Sequence, residues 1–388
     1  MKQTKEPFFA SDWGVILVGA VIGFLGPILQ HFGNPKNMGI CMACFERDIA
    51  GALGLHRAAA VQYLRPEIPG FVLGAFIAAV LFHEFQARGG SAPMIRFVLG
   101  FFAMIGALAF LGCPWRAWFR LAGGDLNGLV GIIGLAAGIY AGTLFLKNGF
   151  SLGRSYKSHA AAGLAVPLIM LVLLLLAIFK PMVGADGTGP IFSSEKGPGS
   201  MHAPLILSLC AGLMIGFLAQ RTRFCTMGAF RDAFLFGDLH LLKGILALGL
   251  TAFAVNLILG QFHPGYRGMP VAHSDLLWNL IGMILSGLAY CLAGGCAGRQ
   301  LFMSGEGDMD AGIFVTGMIT GAAFAHNFGL AGSPDAVTDG VVKVGGISGN
   351  GKIAVIIGLA VCILIGLTMK DKTEAAEIPS GKTAREAE

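Results

Sequence analysis

Long, uninterrupted runs of apolar residues dominate the pattern of this 388-residue chain. The run "AAGLAVPLIMLVLLLLAIF" at 161–179 carries no charge, and about 20 such residues cross a bilayer as a helix. Similar runs begin near residues 12, 69, 95, 126, 203, 241, 275, 309 and 352. Strands do not compete with helices here, because an open sheet edge is not tolerated in lipid. The pattern therefore predicts an all-α polytopic membrane protein with about ten spanning helices.

The composition supports a membrane protein and excludes a water-soluble one. Hydrophobic residues make up 55% of the chain and charged residues 13%, whereas soluble domains average roughly 45–50% and about 25%. The net charge of +5 is spread over the segments between the apolar runs, without the basic cluster of a nucleic-acid-binding domain. The lipid bilayer is thus the expected partner, and nucleic acid is not.

One cysteine motif occurs twice. "CMACFERD" begins at Cys41, and "CTMGAFRD" begins at Cys225. In both stretches an arginine and an aspartate follow the cysteine by six and seven residues, namely Arg47 and Asp48 in the first and Arg231 and Asp232 in the second. Self-similarity of this kind indicates an internal repeat.

A second cysteine motif follows the first in each half of the chain. "ALAFLGCPWR" ends with Cys113 and Arg116, and "LAYCLAGGCAGR" ends with Cys296 and Arg299. Each is followed at the same distance by a Gly-Asp pair, which ends in Asp125 or Asp308. The two cysteines of a half are 72 residues apart in the first and 71 in the second. This constant separation predicts a duplication.

The stretches that begin at these four cysteines are too short and too charged to span a bilayer. We expect each to form a short helix that starts at the cysteine and leads back out of the membrane, as chains do where they line an interior cavity. Four such half-helices, two from each repeat, would meet around a central path. Each repeat has four full spans, so the single span between them inverts the second repeat, as in many transporters.

The repeat defines the expected organisation of the chain. Residues 1–160 form the first membrane repeat, 161–200 the linking span and loop, and 201–330 the second, inverted repeat. Residues 331–370 form a loop and the last span, and 371–388 a polar cytoplasmic tail. The positive-inside rule places both termini in the cytoplasm, except that the basic segment 32–66 then lies outside. We therefore expect part of the positive charge of segment 32–66 to lie on the central path rather than to set the topology.

Cysteine at a helix start suggests a chemistry for the path. A helix N-terminus offers unpaired N–H groups and about half a positive charge, which together form an anion site. Thiols are soft and suit sulfur or selenium better than sodium or water. The predicted anion-attracting residues are Arg47, Arg116, Arg231 and Arg299. The residues expected to pair with arginine or cap helices are Asp48, Asp232, Asp125 and Asp308.

Cys41 and Cys44 form a C-x-x-C pair, which leaves other interpretations open. Zinc would need a second cysteine or histidine pair at ligand spacing, and none stands nearby, so no metal site is expected. A thiol-exchange centre is the second interpretation. Cys44 aligns with Gly228 in the repeat, so its place on the path is open. The cysteines inside apolar runs, Cys210, Cys291 and Cys362, are expected to pack as small hydrophobic residues.

These motifs resemble those of the YeeE/YedE sulfur-transport family of bacterial membrane proteins. "CxxxxFRD", "GGCxxR…GEGD" and "GMxxGA" carry the family resemblance, and "FSSEKGPGSMHAP" and "AHNFGLAGSP" resemble its YedE branch, which is associated with selenium transport. The resemblance implies an hourglass-shaped inner-membrane protein with half-helices entering from both faces. It also implies a central path lined by the cysteines at positions 41, 113, 225 and 296 of this chain.

The expected function is import of a small selenium- or sulfur-containing species, with a selenium compound first and a thiosulfate-like anion next. No G-x-x-x-x-G-K-[ST] loop occurs, so ATP hydrolysis and a bound cofactor are not expected. The alternatives are a membrane thiol enzyme acting through Cys41 and Cys44, and an unselective anion channel. The resemblance also suggests a cytoplasmic sulfur- or selenium-carrier protein as a partner.

Overall fold

The computed structural model describes residues 8–179 and 191–370, which are mostly helical. The first half contains α1 (Asp12–His31), α2 (Met42–Ala52), α3 (Glu67–Leu81), α4 (Pro93–Phe110), α5 (Pro114–Ala122) and α6 (Asn127–Lys147). The linking segment contains α7 (Ala160–Gly163) and α8 (Ala165–Phe179). The second half contains α9 (Leu205–Thr222), α10 (Thr226–Phe236), α11 (His240–Ile258), α12 (Leu276–Ala293), α13 (Ala297–Gly305) and α14 (Met309–Asn327). The last helix is α15 (Gly349–Thr368).

Two short antiparallel strand pairs, of which the second is a hairpin, accompany the helices among the described residues. Strand β1 (Arg88–Gly89) pairs with β2 (Tyr156–Lys157), and β3 (Ala336–Thr338) pairs with β4 (Val341–Lys343), both antiparallel. The hairpin lies in the loop before α15. The predicted polar tail at 371–388 lies outside the described residues, as does part of the linking loop. The predicted domain boundaries stay a prediction.

The all-α polytopic class is confirmed. Within the described ranges, seven helical stretches are long and apolar enough to cross a membrane. Three of them join a long helix to the short helix that follows, as in Pro93–Ala122, Leu205–Phe236 and Leu276–Gly305. Helices α3 and α8 are apolar but have only 15 residues each, and α14 is not among the seven. The predicted total of ten spans therefore stays a prediction.

The two halves interlock, because helices of each half pack along helices of the other half in a reciprocal pattern. Helix α1 packs along α11 and α3 along α9, while α4 packs along α14 and α6 along α12. The first helix of each half thus contacts the third helix of the other, and the fourth of each contacts the sixth of the other. Reciprocal contacts of this kind are what a two-fold relation between the halves produces.

Contacts at the helix ends show that corresponding helices of the two halves run in opposite directions. Helices α1 and α11 are parallel, because Asp12 bonds His240 at one end and Gln30 bonds Gln261 at the other. In contrast, the residue Asn34, just past the end of α1, accepts the N–H of Ala203, just before the start of α9. Helix α9, the counterpart of α1, is therefore antiparallel to it, and the second half is inverted.

Glycine allows the exchanged helices to touch backbone to backbone, as small residues do in membrane proteins. A Cβ atom added at Gly19 of α1 would collide with the carbonyl oxygen of Gly244 in α11. The same holds for Gly100 of α4 against Phe314 of α14. These close backbone contacts join the long helices that surround the short helices α2, α5, α10 and α13.

Replacing Gly19 with alanine should destabilise the protein, because the added methyl group forces α1 away from α11. We expect Gly19→Ala to lower the free energy of unfolding by about 1–3 kcal/mol, the usual cost of overpacking. Thermal unfolding of the purified protein in detergent measures the change. Gly349→Ala is the matched control, because a Cβ at Gly349 meets nothing within 4 Å. Equal melting temperatures for the two variants would contradict this packing.

Candidate functional site

Each of the four repeat cysteines is the residue that precedes the first turn of a short helix, as the sequence predicts. Cys41 and Cys225 stand before α2 and α10, and their sulfur atoms accept the backbone N–H of Cys44 at 3.3 Å and of Gly228 at 3.2 Å. Cys113 and Cys296 hold the same place before α5 and α13. All four residues have extended backbone conformations, which fits the residue before a helix.

The cysteines of each half lie side by side. The N–H of Cys113 donates to the sulfur of Cys41 at 3.4 Å, and the sulfur atoms of Cys225 and Cys296 are 3.8 Å apart. All four side chains are buried. The structure therefore brings the four predicted cysteines together as two pairs, one pair from each half of the chain.

Apolar side chains lie between the two pairs. The sulfur of Met42 is 4.0 Å from that of Cys113, and its methyl group would lie 3.1 Å from a Cβ added at Gly298. Trp115 packs edge-on against Phe224 and also contacts Phe302, with ring centroids 5.7 and 6.2 Å apart. The two pairs are thus joined by a closely packed apolar segment made by residues of both halves.

Several polar side chains in this region are buried without a hydrogen-bond partner among the described residues. They are the indole N–H of Trp115, the hydroxyl of Thr226, the phenol of Tyr290 and both carboxyl oxygens of Glu46. Tyr290 lies near Cys41, Cys113, Cys296 and Glu46. Buried polar groups are nearly always hydrogen-bonded. The unpaired indole, hydroxyl and phenol beside the cysteines are consistent with a place where a polar solute binds.

The arginines of the first half have protein partners. The buried Arg116 donates to the backbone carbonyls of Asn37, Leu111 and Val271. Arg47 pairs with Asp48 at 2.6 Å, and Arg65 pairs with the second oxygen of the same carboxylate at 2.8 Å. Arg65 also donates to the backbone carbonyls of Pro198 and Met201. These two hydrogen bonds hold the segment 191–204 over this end of the molecule.

The arginines of the second half have simpler environments. Arg231 pairs with Asp232 at 2.8 Å, and these two side chains are 33% and 19% exposed. Arg299 pairs with Glu306 at 2.9 Å. All four predicted arginines are bonded to protein, although Arg231 and Arg299 each use one nitrogen of the guanidinium in the hydrogen bonds described here. Their anion-attracting role stays a prediction.

Asp125 and Asp308 hold the segments that follow α5 and α13. Asp308 accepts the N–H of Ala311 at 3.0 Å at the start of α14, and Asp125 accepts from Arg120 at 2.7 Å. Burial raises the pKa of Asp125, but Arg120 and the amides of Asn37 and Asn127 outweigh burial and hold that pKa below its usual value. This carboxylate therefore stabilises the fold above the unfolded-state pKa, and the contribution is lost as the pH falls.

Cys44 lies beside Cys41 in the first turn of α2. Its thiol donates to the carbonyl of Leu111 at 3.7 Å and accepts from Arg116 at 3.2 Å. Its backbone N–H donates to the sulfur of Cys41 at 3.3 Å, and the two thiols also interact with each other. Whether Cys44 contacts a substrate stays a prediction.

Sequence reasoning missed Glu46, Trp115 and Tyr290. Glu46 stands inside the first repeat motif, and an ionisable residue in a membrane segment is by default a functional candidate. That signal was available in "CFERD", but only Arg47 and Asp48 of this stretch recur in the second repeat, so Glu46 received no role. Nothing in the local sequence distinguishes Tyr290 or Trp115 from packing residues.

Arg116 should be essential to the stability of the site. We expect Arg116→Lys to lower the free energy of unfolding by about 3 kcal/mol, because an ammonium cannot reach three carbonyls at once and hydrogen bonds to charged groups are worth ~1.5–3 kcal/mol. Arg231→Lys is the control, since a part-exposed ion pair contributes at most about 1 kcal/mol. Thermal unfolding in detergent compares them. A larger loss in Arg231→Lys would contradict the assignment.

Comparisons with known proteins extend these observations. The family described as "Sulphur transport" matches residues 221–387. The "Thiosulfate transporter TsuA" of Spirochaeta thermophila is 37% identical over 99 residues, which is 26% of this chain and 29% of that protein. The protein of the same name from Escherichia coli is 25% identical over 189 residues, or 47% of this chain and 53% of that protein.

A further relative carries a different name. The "Probable transporter YedE" of Salmonella typhimurium is 30% identical over 115 residues, which is 28% of this chain and 27% of that protein. The chain thus matches about half or less of the length of each of these relatives. Its resemblance to the YeeE/YedE sulfur-transport family, predicted from the repeated cysteine motifs, is confirmed.

Proposed function

We propose that the chain is an inner-membrane transporter that imports a small sulfur-containing anion of the thiosulfate class. The observation that carries the proposal is the arrangement of four buried cysteines at the starts of four short helices, in two pairs related by the inverted repeat. Relatives named thiosulfate transporters and the family match support the sulfur substrate.

The paired cysteines and their helix starts offer contacts that can replace the water molecules around a sulfur anion. The start of each short helix provides backbone N–H groups and a positive end of the helix dipole. The thiols can donate weak hydrogen bonds and contact a soft terminal sulfur. Trp115 and Tyr290 add an indole and a phenol, both hydrogen-bond donors, near the cysteines. The anion would pass from the Cys41–Cys113 pair to the Cys225–Cys296 pair, or in the reverse order.

Passage requires the segment between the pairs to open. Met42 and Trp115 fill that segment. A methionine side chain is unbranched and adaptable, so a change of its rotamer would open the contact without a change in the backbone. A relay between successive thiols would then need little helix motion.

A selenium compound is the second candidate substrate for the same path. Selenium is softer than sulfur, so the thiol environment that suits a terminal sulfur suits selenium as well. The resemblance to the YedE branch supports it. Both termini would be cytoplasmic, and the imported product would pass to a cytoplasmic sulfur- or selenium-carrier protein.

The thiol-enzyme alternative depends on Cys44 as a resolving thiol. Cys44 is bonded to Leu111 and Arg116, and its thiol also lies next to that of Cys41. The matching position of the second repeat is Gly228, so a resolving thiol is present in one half only, which favours the transport proposal. The anion-channel alternative predicts chloride flux through the purified protein in vesicles. Neither alternative accounts for four cysteines at matched positions in the repeat.

Uptake of labelled thiosulfate, selenite and selenide into cells expressing the chain tests the proposal. We expect thiosulfate uptake to fall at least about tenfold in Cys113→Ser and Cys296→Ser, equivalent to a loss of ~1.4 kcal/mol at one contact. Cys44→Ser should keep most of its uptake. Cys362→Ser is the control, since Cys362 is buried in α15, away from the pairs.

Three outcomes would overturn parts of this proposal. Loss of activity in Cys44→Ser with full activity in Cys113→Ser would favour the thiol enzyme. Preference for selenite or selenide over thiosulfate would make selenium the substrate. Uptake that survives serine at positions 113 and 296 together would remove the cysteines from the path.

A further inference from the structure

Glu46 is a buried carboxyl group that the thiol path does not explain. Its side chain is 0% exposed, and neither carboxyl oxygen has a hydrogen-bond partner among the described residues. Other buried carboxylates in the chain, such as Asp48 and Asp125, are paired with arginine. Removing a carboxylate from water without such a partner is very costly, so in this closely packed conformation the group is the neutral acid, and it can ionise only when water reaches it.

The position of Glu46 places it at the path. It follows Met42 by four residues in α2, and residues four apart lie on the same face of a helix, with side chains inclined towards the N-terminus. Met42 contacts Cys113 and the backbone at Gly298. Glu46 therefore lies one turn behind the apolar segment that joins the two cysteine pairs.

Tyr290 of α12 is a titratable group that lies near Glu46. Its phenol is also near the cysteines at 41, 113 and 296, and its hydroxyl has no hydrogen-bond partner among the described residues. The other ionisable groups on α2 and on the helices packed around it have ion pairs, hydrogen bonds or ring contacts of their own. These are Arg47, Asp48, Arg65, Glu67, Arg96, Arg116, Arg299, Glu306, Asp310 and His326.

Glu46 has no counterpart in the second half of the chain. The repeat aligns it with Phe230, so the carboxyl group is a feature of one side of the path only. A residue needed merely to support the repeated architecture would be expected in both halves. A single ionisable group beside a path for anions can instead bind a proton, so that one positive charge moves with each anion.

We propose that Glu46 is a protonation site that couples inward movement of the anion to inward movement of a proton. This inference rests on the proposed transport function. The ionised carboxylate would repel the anion, so it takes one proton from the solution on the entry side before or with the anion. It returns to the carboxylate by releasing that proton on the exit side. One proton thus moves with each anion, and the negative charge carried per passage falls by one unit.

The test uses the purified full-length chain in lipid vesicles with radiolabelled thiosulfate as the probe. Counterflow measures exchange of thiosulfate without a proton gradient. Accumulation under an imposed inward proton gradient measures coupling, as does thiosulfate-dependent alkalinisation of a weakly buffered external solution. For one coupled proton, and with the membrane potential held at zero, a tenfold proton gradient should support about tenfold accumulation, because the two chemical free energies are then equal.

We expect Glu46→Gln to keep counterflow within about twofold, since the amide is neutral like the protonated acid, and to lose gradient-driven accumulation and alkalinisation. Glu46→Asp retains a titratable group and should keep measurable coupling. Glu67→Gln is the matched control, because Glu67 is a buried carboxyl that accepts from Asn34, and a glutamine oxygen can do the same. It should behave as the wild type does.

The two proposals fail in different ways. Absence of thiosulfate counterflow in the wild type overturns the substrate proposal. Counterflow without any proton movement in the wild type overturns the role of Glu46 while leaving transport intact, and so does full proton coupling in Glu46→Gln.

A measurement on the unmodified chain covers the case in which Glu46→Gln does not fold. A hydrophobic carbodiimide reacts with protonated carboxyl groups in apolar surroundings. Modification located at Glu46 by mass spectrometry, increased at lower pH and accompanied by loss of proton-driven accumulation, is the expected result. Modification that spares Glu46, or that leaves accumulation unchanged when Glu46 has reacted, would overturn the inference.

Discussion

Every part of this structure depends on the need to satisfy backbone N–H groups that begin a helix in the interior of a membrane protein. A helix leaves its first four N–H groups without partners, and in hydrocarbon each such group is costly. Four short helices begin in the interior here, and a cysteine stands at the start of each. In α2 and α10 the sulfur itself accepts one of the N–H groups. The thiols are thus structural caps as well as candidate ligands, and the same feature gives both the fold and the proposed chemistry.

The sequence was sufficient to predict this arrangement because its signals are local. Cysteine followed by arginine and aspartate at fixed spacing, in stretches too short to span, predicted where the short helices begin, and the structure confirms those starts at Cys41, Cys113, Cys225 and Cys296. The inversion of the second half followed from counting apolar runs. The predicted number of ten spans rests on weaker signals, since α3 and α8 are short and α14 is not among the seven long apolar stretches.

Interactions between distant segments could not be predicted in the same way. Arg116 was expected to attract an anion, but its partners are three carbonyls contributed by separate loops. The N–H of Cys113 finds the sulfur of Cys41 only because the two halves of the first repeat fold together. Glu46 was overlooked for another reason. Comparison of repeats draws attention to the positions that match, whereas Glu46 is a position where the halves differ.

The exchange of helices between the halves also restricts how the molecule can move. Helix α1 lies against α11 and α3 against α9, with backbones in contact at glycines. Rotation of one half as a rigid body would have to separate these backbone contacts, which are close enough that an added methyl group does not fit. Changes of single side chains and of the short helices leave the contacts intact. For the proposed transport, the packing therefore favours local opening around the cysteines over rocking of one half against the other.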